Sequence, residues 1–127
     1  MSIVREALRD TAENVLAAWL FGSVARGEDR QTSDVDIALL LDGAPRSLSA
    51  LPLDLEDRLE RSLGRSVQVV VANHAPVDLM HRVLRDGLLL MDRHPAKRVR
   101  FEVQRRNEYF DLLPFLRRYR LLPESAP

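Results

Sequence analysis

Residues 15–21 (VLAAWLF) form an unbroken apolar run that stops abruptly at Gly22-Ser23, and residues 34–41 (DVDIALLL) form a second run that opens on two aspartates. The first reads as a buried strand. The second alternates at its start and then turns fully apolar, which suggests a strand with a polar opening and a buried end. Between them, Val24 to Ser33 is polar and holds Gly27, so it reads as a turn with at most one helical turn. Two strands joined this way place whatever follows the first beside the opening of the second.

The rest of the chain is consistent with a sheet covered by helices. Val4, Leu8, Thr11 and Ala12 predict a helix over residues 3–13. The loop Asp42-Gly43-Ala44-Pro45 precedes Leu48, Leu51, Leu55, Leu59 and Leu63, a helical stripe of core type closed by Gly64. The β-branched run 66–72 predicts a third strand. Pro76 opens a helix to Arg85, and 88–91 predicts a short edge strand. A long helix is expected from Pro95 to about Leu121, with Val99, Val103, Phe110, Leu113 and Leu116 on its apolar side and a kink at Pro114. Residues 123–127 are expected to fray. The predicted class is α/β (α+β): a small mixed sheet flanked by helices, with a long C-terminal helix. The expected organisation is one domain over 1–127, with a core at 1–92, an Arg-rich helix at 93–122 and a tail.

Composition narrows the function. The 127 residues carry 19 basic and 19 acidic side chains, so net charge is zero and a general nucleic-acid coat is not expected. With no cysteine there is no disulfide framework, thiolate metal site or Cys nucleophile. No apolar run approaches the ~18 residues of a membrane span, and the charged N-terminus lacks a signal peptide's apolar core, so a cytoplasmic location is expected. Charge is uneven, however. Residues 97–120 hold eight basic and three acidic residues, and all but Lys97 of the cations are arginine. This segment is either a solvated helix face or a docking surface for an acidic partner or a nucleotide.

The chemistry concentrates in Gly22 to Asp36 (GSVARGEDRQTSDVD). A glycine lets backbone approach a ligand closely, and a serine hydroxyl with turn N–H groups can hold phosphate oxygens. Asp34 and Asp36 are two apart on a strand, so their carboxylates share a face. Carboxylates that close repel unless a cation lies between them, and Mg²⁺ suits an all-oxygen donor set. Arg26 either reaches phosphate from the turn or pairs with Glu28 or Asp29. His74, His81 and His94 are too scattered for a zinc trio, although His74 follows the third strand, near a bound nucleotide if one is there. Trp19 is expected in the core.

Gly-Ser, ten residues, then Asp-x-Asp resembles the signature of the nucleotidyltransferase superfamily that includes DNA polymerase β. Gly22-Ser23-Val24-Ala25-Arg26-Gly27-Glu28 and Ser33-Asp34-Val35-Asp36-Ile37 are similar to its small prokaryotic branch, the minimal nucleotidyltransferases (MNT). Gly64-Arg65, the strand 67–71 and the Arg-rich final helix with Asn107-Glu108-Tyr109 continue the likeness. The resemblance implies a polymerase β-like fold and a nucleotidyltransferase using ATP and Mg²⁺. It implies Asp34 and Asp36 as catalytic metal ligands, and Gly22, Ser23, Arg26 and Ser33 on the nucleotide. It further implies the antitoxin of a type VII-like HEPN/MNT pair, which adenylylates a tyrosine of a HEPN ribonuclease toxin, alone or in a homo- or hetero-oligomer. One position departs from the pattern: Gln68 stands where the superfamily carries a third carboxylate. Glutamine is no base and a weaker metal ligand, although a polar residue in a valine run also fits an edge strand. Two alternatives follow. One is an antitoxin that neutralises by binding alone with a relic site. The other, an antibiotic-modifying enzyme, usually carries an additional helical acceptor domain.

Overall fold

The computed structural model describes residues 2–11, 13–27, 34–43 and 54–121. Helix α1 is Ser2–Arg9, strand β1 Val15–Phe21, helix α2 Gly22–Ala25, strand β2 Val35–Leu41 and helix α3 Leu55–Leu63. Strand β3 is Val67–Val71, followed by a 3₁₀ turn at Ala72–His74, helix α4 Val77–Asp86, strand β4 Leu88–Asp92 and helix α5 Pro95–Leu121. The expected leucines 48 and 51, the loop residues 44–45 and the tail 123–127 lie outside the described residues.

The sheet has the order β3-β2-β1-β4. β1 is antiparallel to both β2 and β4, and β2 is parallel to β3, so the sheet is mixed. Alternation along the central strands sends side chains to two cores. Ile37, Leu39 and Leu41 meet Val4 and Leu8 of α1 and Leu55 and Leu59 of α3. Trp19, Ala38 and Leu40 meet Met80 and Val83 of α4, with Phe101 of α5 packed against them. Both faces are covered, which is why β1 and β2 read as apolar runs rather than alternating ones.

Several local features explain where elements stop. The first helix ends at Arg9, short of the expected 13. Thr11 is buried beyond it, its hydroxyl donating to the Leu8 carbonyl. The Arg93 guanidinium, from just after β4, donates to the carbonyls of Arg9, Thr11 and Val15, pinning the α1 end to the β1 start. α3 ends at Gly64, whose left-handed backbone (φ 66°, ψ 27°) suits a residue without Cβ. Edge strand β3 is covered by α3: Glu60 Oε2 accepts from the Val67 N–H at 2.9 Å and Glu56 Oε1 from the Val69 N–H at 2.8 Å. Those carboxylates satisfy donors that an edge would otherwise leave open.

The long helix packs differently from the sequence expectation. Val99, Val103 and Phe110 are exposed; they do not form its inner face. α5 lies on the sheet and α4 through Phe101 beside Trp19 (ring centroids 6.2 Å), Tyr109 stacked on His81 (3.6 Å) and Arg105, which donates to the Ala75 carbonyl and sits over the Phe101 ring. The reason is that the inner stripe runs through aromatic rings and an arginine stem, which bury apolar surface while keeping a polar end. Apolarity alone therefore misassigned the face. The helix continues through Pro114. His94 precedes Pro95 and its Nδ1 accepts from the Lys97 N–H, capping the first turn.

Asn73, in the 3₁₀ turn, closes the end of the sheet. Its side chain accepts from the Leu41 N–H (2.9 Å) and donates to the Leu41 carbonyl (2.8 Å), acting as a further strand residue would. Replacing Asn73 with Ala leaves both backbone groups unpaired. It is expected to cost about 1–3 kcal/mol, read as a lowered denaturant midpoint at unchanged slope.

Candidate functional site

β1 delivers Phe21 to the rim of the sheet, and the chain then turns sharply at Gly22 with φ +77°. A Cβ at Gly22 would collide with Asp36 Oδ2. Glycine is thus required twice over, for the left-handed backbone and for the space the carboxylate occupies. Ser23 follows in the four-residue α2, and Arg26 closes it, its N–H donating to the Gly22 carbonyl at 3.2 Å.

Asp36 is the second residue of β2. It pairs in register with Phe21 on β1 and with Gln68 on β3. Alternation places it on the face of Ala38 and Leu40, the face that α4 and α5 cover further along the sheet. Asp34, one step before the strand, shares that parity and is exposed, whereas Asp36 is half-buried. The Asp36 pKa is raised above its ordinary value, first by burial and then by the negative charge of Asp34; the nearby Arg26 opposes this. Two carboxylates and an arginine thus meet at the glycine turn.

The structure brings Gly22, Ser23, Arg26, Asp34, Asp36 and Gln68 to one end of the sheet. Ser33 lies outside the described residues, as do Glu28 and Asp29, the ion-pair partners considered for Arg26. Among the described residues, Asp36 and Asp86 of α4 lie within electrostatic reach of Arg26. Gln68 is exposed on edge strand β3 and pairs in register with Asp36 of β2. The histidines do not converge: His74 is exposed, His81 stacks on Tyr109 and His94 caps α5. Among the described residues no group of three or more His, Cys, Asp or Glu side chains is placed to hold a metal. Mg²⁺ does not need one. It is commonly held by one or two carboxylates, with substrate phosphates and water completing its shell, and Asp36 with Asp34 within electrostatic reach suits that donor set.

Residues 4–96 match the family described as "Polymerase beta, Nucleotidyltransferase". The chain belongs to that family. Two proteins of Methanocaldococcus jannaschii, each named "Putative protein adenylyltransferase", are similar in sequence. One is 37% identical over 73 residues (56% of this chain, 83% of the relative). The other is 40% identical over 75 residues (59% and 73%). The nucleotidyltransferase fold also recurs in solved structures. A chain of a toxin–antitoxin complex crystallised with AMP-PNP superposes with TM-score 0.77 at 24% identity over 93% of both chains. A chain from the complex of a tri-AMPylated Shewanella oneidensis HEPN toxin with its MNT antitoxin does so with TM-score 0.71 at 23% identity, covering 93% of this chain and 90% of that one. The mixed sheet with a long final helix is therefore the polymerase β-like nucleotidyltransferase fold. Among the described residues no helix is long and apolar enough to cross a membrane.

Sequence reasoning did not find α4 as part of this site. Arg82 and Asp86 line a cavity with Phe21, Gly22, Arg26 and Leu79. Their spacing carries no motif, and only the packing of α4 across β1 brings them to the turn.

The Asp36 environment has a measurable cost. Folding raises its pKa, so the folded chain binds this proton more tightly than the unfolded one. Stability then falls as pH rises from the ordinary aspartate range, about 3.8, through the raised value. Asp36→Asn removes the repulsion. Without divalent metal it is expected to raise the melting temperature at pH 7, with a gain that shrinks as pH falls through the raised value and vanishes below about 3.8. Thermal melts across pH check this, and Mg²⁺ should then stabilise the native chain more than the variant.

Proposed function

We propose that this protein is the MNT antitoxin of a HEPN/MNT toxin–antitoxin pair, transferring AMP from ATP to a tyrosine hydroxyl of the toxin. The observation that carries the proposal is the contact of the Asp36 carboxylate with the Gly22 turn, with Asp34 alongside. A phosphate-holding turn and a metal-binding acid pair are useful together only if they grip the same substrate. The names of the Methanocaldococcus relatives and the partners in the similar complexes support the same reading.

In this reading Asp34 and Asp36 would hold Mg²⁺, which supplies charge neutralisation at the triphosphate. Gly22 presents backbone without a side chain in the way, and Ser23 offers its hydroxyl to a phosphate oxygen. Arg26 contributes a cation within electrostatic reach of Asp36. The acceptor tyrosine Oη attacks the α-phosphorus, the bond from that phosphorus to the bridging oxygen breaks, and pyrophosphate leaves. The phenolic proton passes to solvent. No carboxylate stands at position 68 to take it, and Gln68 offers only a hydrogen bond beside Asp36. A phenol, with pKa near 10, loses its proton far more readily than an aliphatic alcohol, so the absence of a base costs less with tyrosine.

The outer face of α5 favours a second reading, neutralisation by binding alone. Val99, Val103, Phe110 and Phe115 are exposed there among Arg100, Arg106, Arg117 and Arg118. An apolar stripe bordered by arginines suits a protein surface edged with carboxylates.

Intact-mass spectrometry of the protein encoded by the neighbouring reading frame, after incubation with this chain, ATP and Mg²⁺, separates the two. Added AMP masses are expected; inhibition of the partner with no mass change selects binding alone. Asp34→Asn combined with Asp36→Asn should abolish the added mass, and labelling by that variant refutes the metal assignment. Gln68→Asp should raise the transfer rate by restoring a carboxylate beside Asp36. An unchanged or lower rate removes position 68 from the site.

A further inference from the structure

A second cavity lies at the opposite end of the sheet from the glycine turn, where the close of β2 meets the first turns of α5. Its volume is about 200 Å³. Among the described residues, Leu16, Leu40 and Phe101 form its apolar floor, and Asp42, Lys97, Arg100 and Gln104 form its polar rim. Asp42 stands six residues beyond Asp36. At about 3.3 Å per residue the cavity is roughly 20 Å from the acid pair.

The walls are fixed without any ligand. The Asp42 N–H donates to the Asn14 carbonyl at 2.7 Å, and the Asn73 side chain holds both backbone groups of Leu41. The Arg93 N–H donates to the Leu16 carbonyl at 2.7 Å, and Phe101 rests beside Trp19. A preformed pocket costs a partner little ordering on this side of the contact.

The charge on the rim is specific. Lys97 Nζ meets Asp42 Oδ1 at 3.1 Å, so these two charges cancel. Arg100 is exposed, and no hydrogen bond or ion pair ties it to another described residue. Gln104 lies one helical turn further along the same side of α5 and is also exposed. The groove therefore sets one uncompensated guanidinium beside an apolar floor. A singly charged carboxylate matches it; a phosphate dianion would be left with excess charge next to Asp42. Size narrows the occupant further. Whole small-molecule sites are usually about 300–1,000 Å³, whereas this groove has room for about one large side chain.

We propose that this groove is a protein-docking exosite, which takes one large apolar side chain of a partner segment while Arg100 binds a carboxylate beside it in that segment. A buried anchor with a charged neighbour at the rim is how a small pocket contributes to a protein interface. The inference needs neither nucleotide nor metal and stands apart from the nucleotidyl-transfer reading. It leaves the Gly22 and Asp36 end open while a partner is held.

The test is a ¹⁵N NMR titration of the intact chain with the synthetic peptide acetyl-Gly-Glu-Phe-Glu-Gly-amide, on the native protein, Arg100→Glu and Arg100→Lys. The amides of Leu41, Asp42, Gly43 and Gln104 are expected to shift, and those of Gly22 and Asp36 to stay in place. Arg100→Glu should weaken binding by at least roughly ten-fold, with Arg100→Lys recovering part of it. The same peptide with Ala in place of Phe should not bind. The spectra also report whether each variant is folded. Absence of shifts at the groove overturns the proposal. So does equal binding of a peptide with Gln in place of both Glu, which would leave Arg100 without a role. Equal affinity for free 3-phenylpropionate marks a small-carboxylate site instead, and groove shifts on dilution of the native chain alone mark a contact between two copies; either result overturns it.

Discussion

The candidate site depends on one close approach. The carboxylate of Asp36 fills the space where any side chain at residue 22 would have to be. That contact needs antiparallel pairing of β1 with β2 in the register that sets Phe21 opposite Asp36. The register is held in turn by burial of alternate residues of both strands in two separate cores, since a slip of one residue would send every apolar side chain to the wrong face. The precision of the turn is thus a consequence of packing on both faces of the sheet.

The same packing explains why an acid pair can be held at an energetic disadvantage. Asp36 is half-buried and close to Asp34, and both effects work against its charged form. β2 is almost fully buried past that point, from Ile37 to Leu41, so its apolar length anchors the unfavourable end. Arg26 offsets part of the repulsion from the turn. A site that is electrostatically incomplete in the protein alone is one that a cationic or metal-bound ligand completes.

α5 connects this end of the molecule with its outer surface. Its inner side rests on Trp19, His81 and the Ala75 carbonyl through Phe101, Tyr109 and Arg105. Arg98 joins Asp92 of β4 and Glu102 of its own helix at 2.8 and 2.6 Å, fixing the helix where it leaves the sheet. With the inner side satisfied by rings and paired charges, the aliphatic and phenyl groups at 99, 103, 110 and 115 are left outward. The helix joins the fold through Phe101, Arg105 and Tyr109 and presents Val99, Val103, Phe110 and Phe115 to solvent.

Much of this was legible in the residues themselves. The strands at 15–21 and 34–41, the stop at Gly64, the helix from Pro95 and the Gly-Ser/Asp-x-Asp grouping all follow from local rules: runs of apolar side chains, glycine's backbone freedom, proline at a first helical turn. What chain order could not express is which surfaces meet. The inward side of α5, the capping of α1 by Arg93 across some eighty residues and the arrival of Arg82 and Asp86 beside Gly22 are contacts between distant segments. They are decided when helices settle on a sheet whose strand order is not the order of synthesis. Sequence alone determined the chemical groups and the local shape that carries each of them; tertiary structure decided their neighbours, because burial and electrostatics act through space and not along the chain.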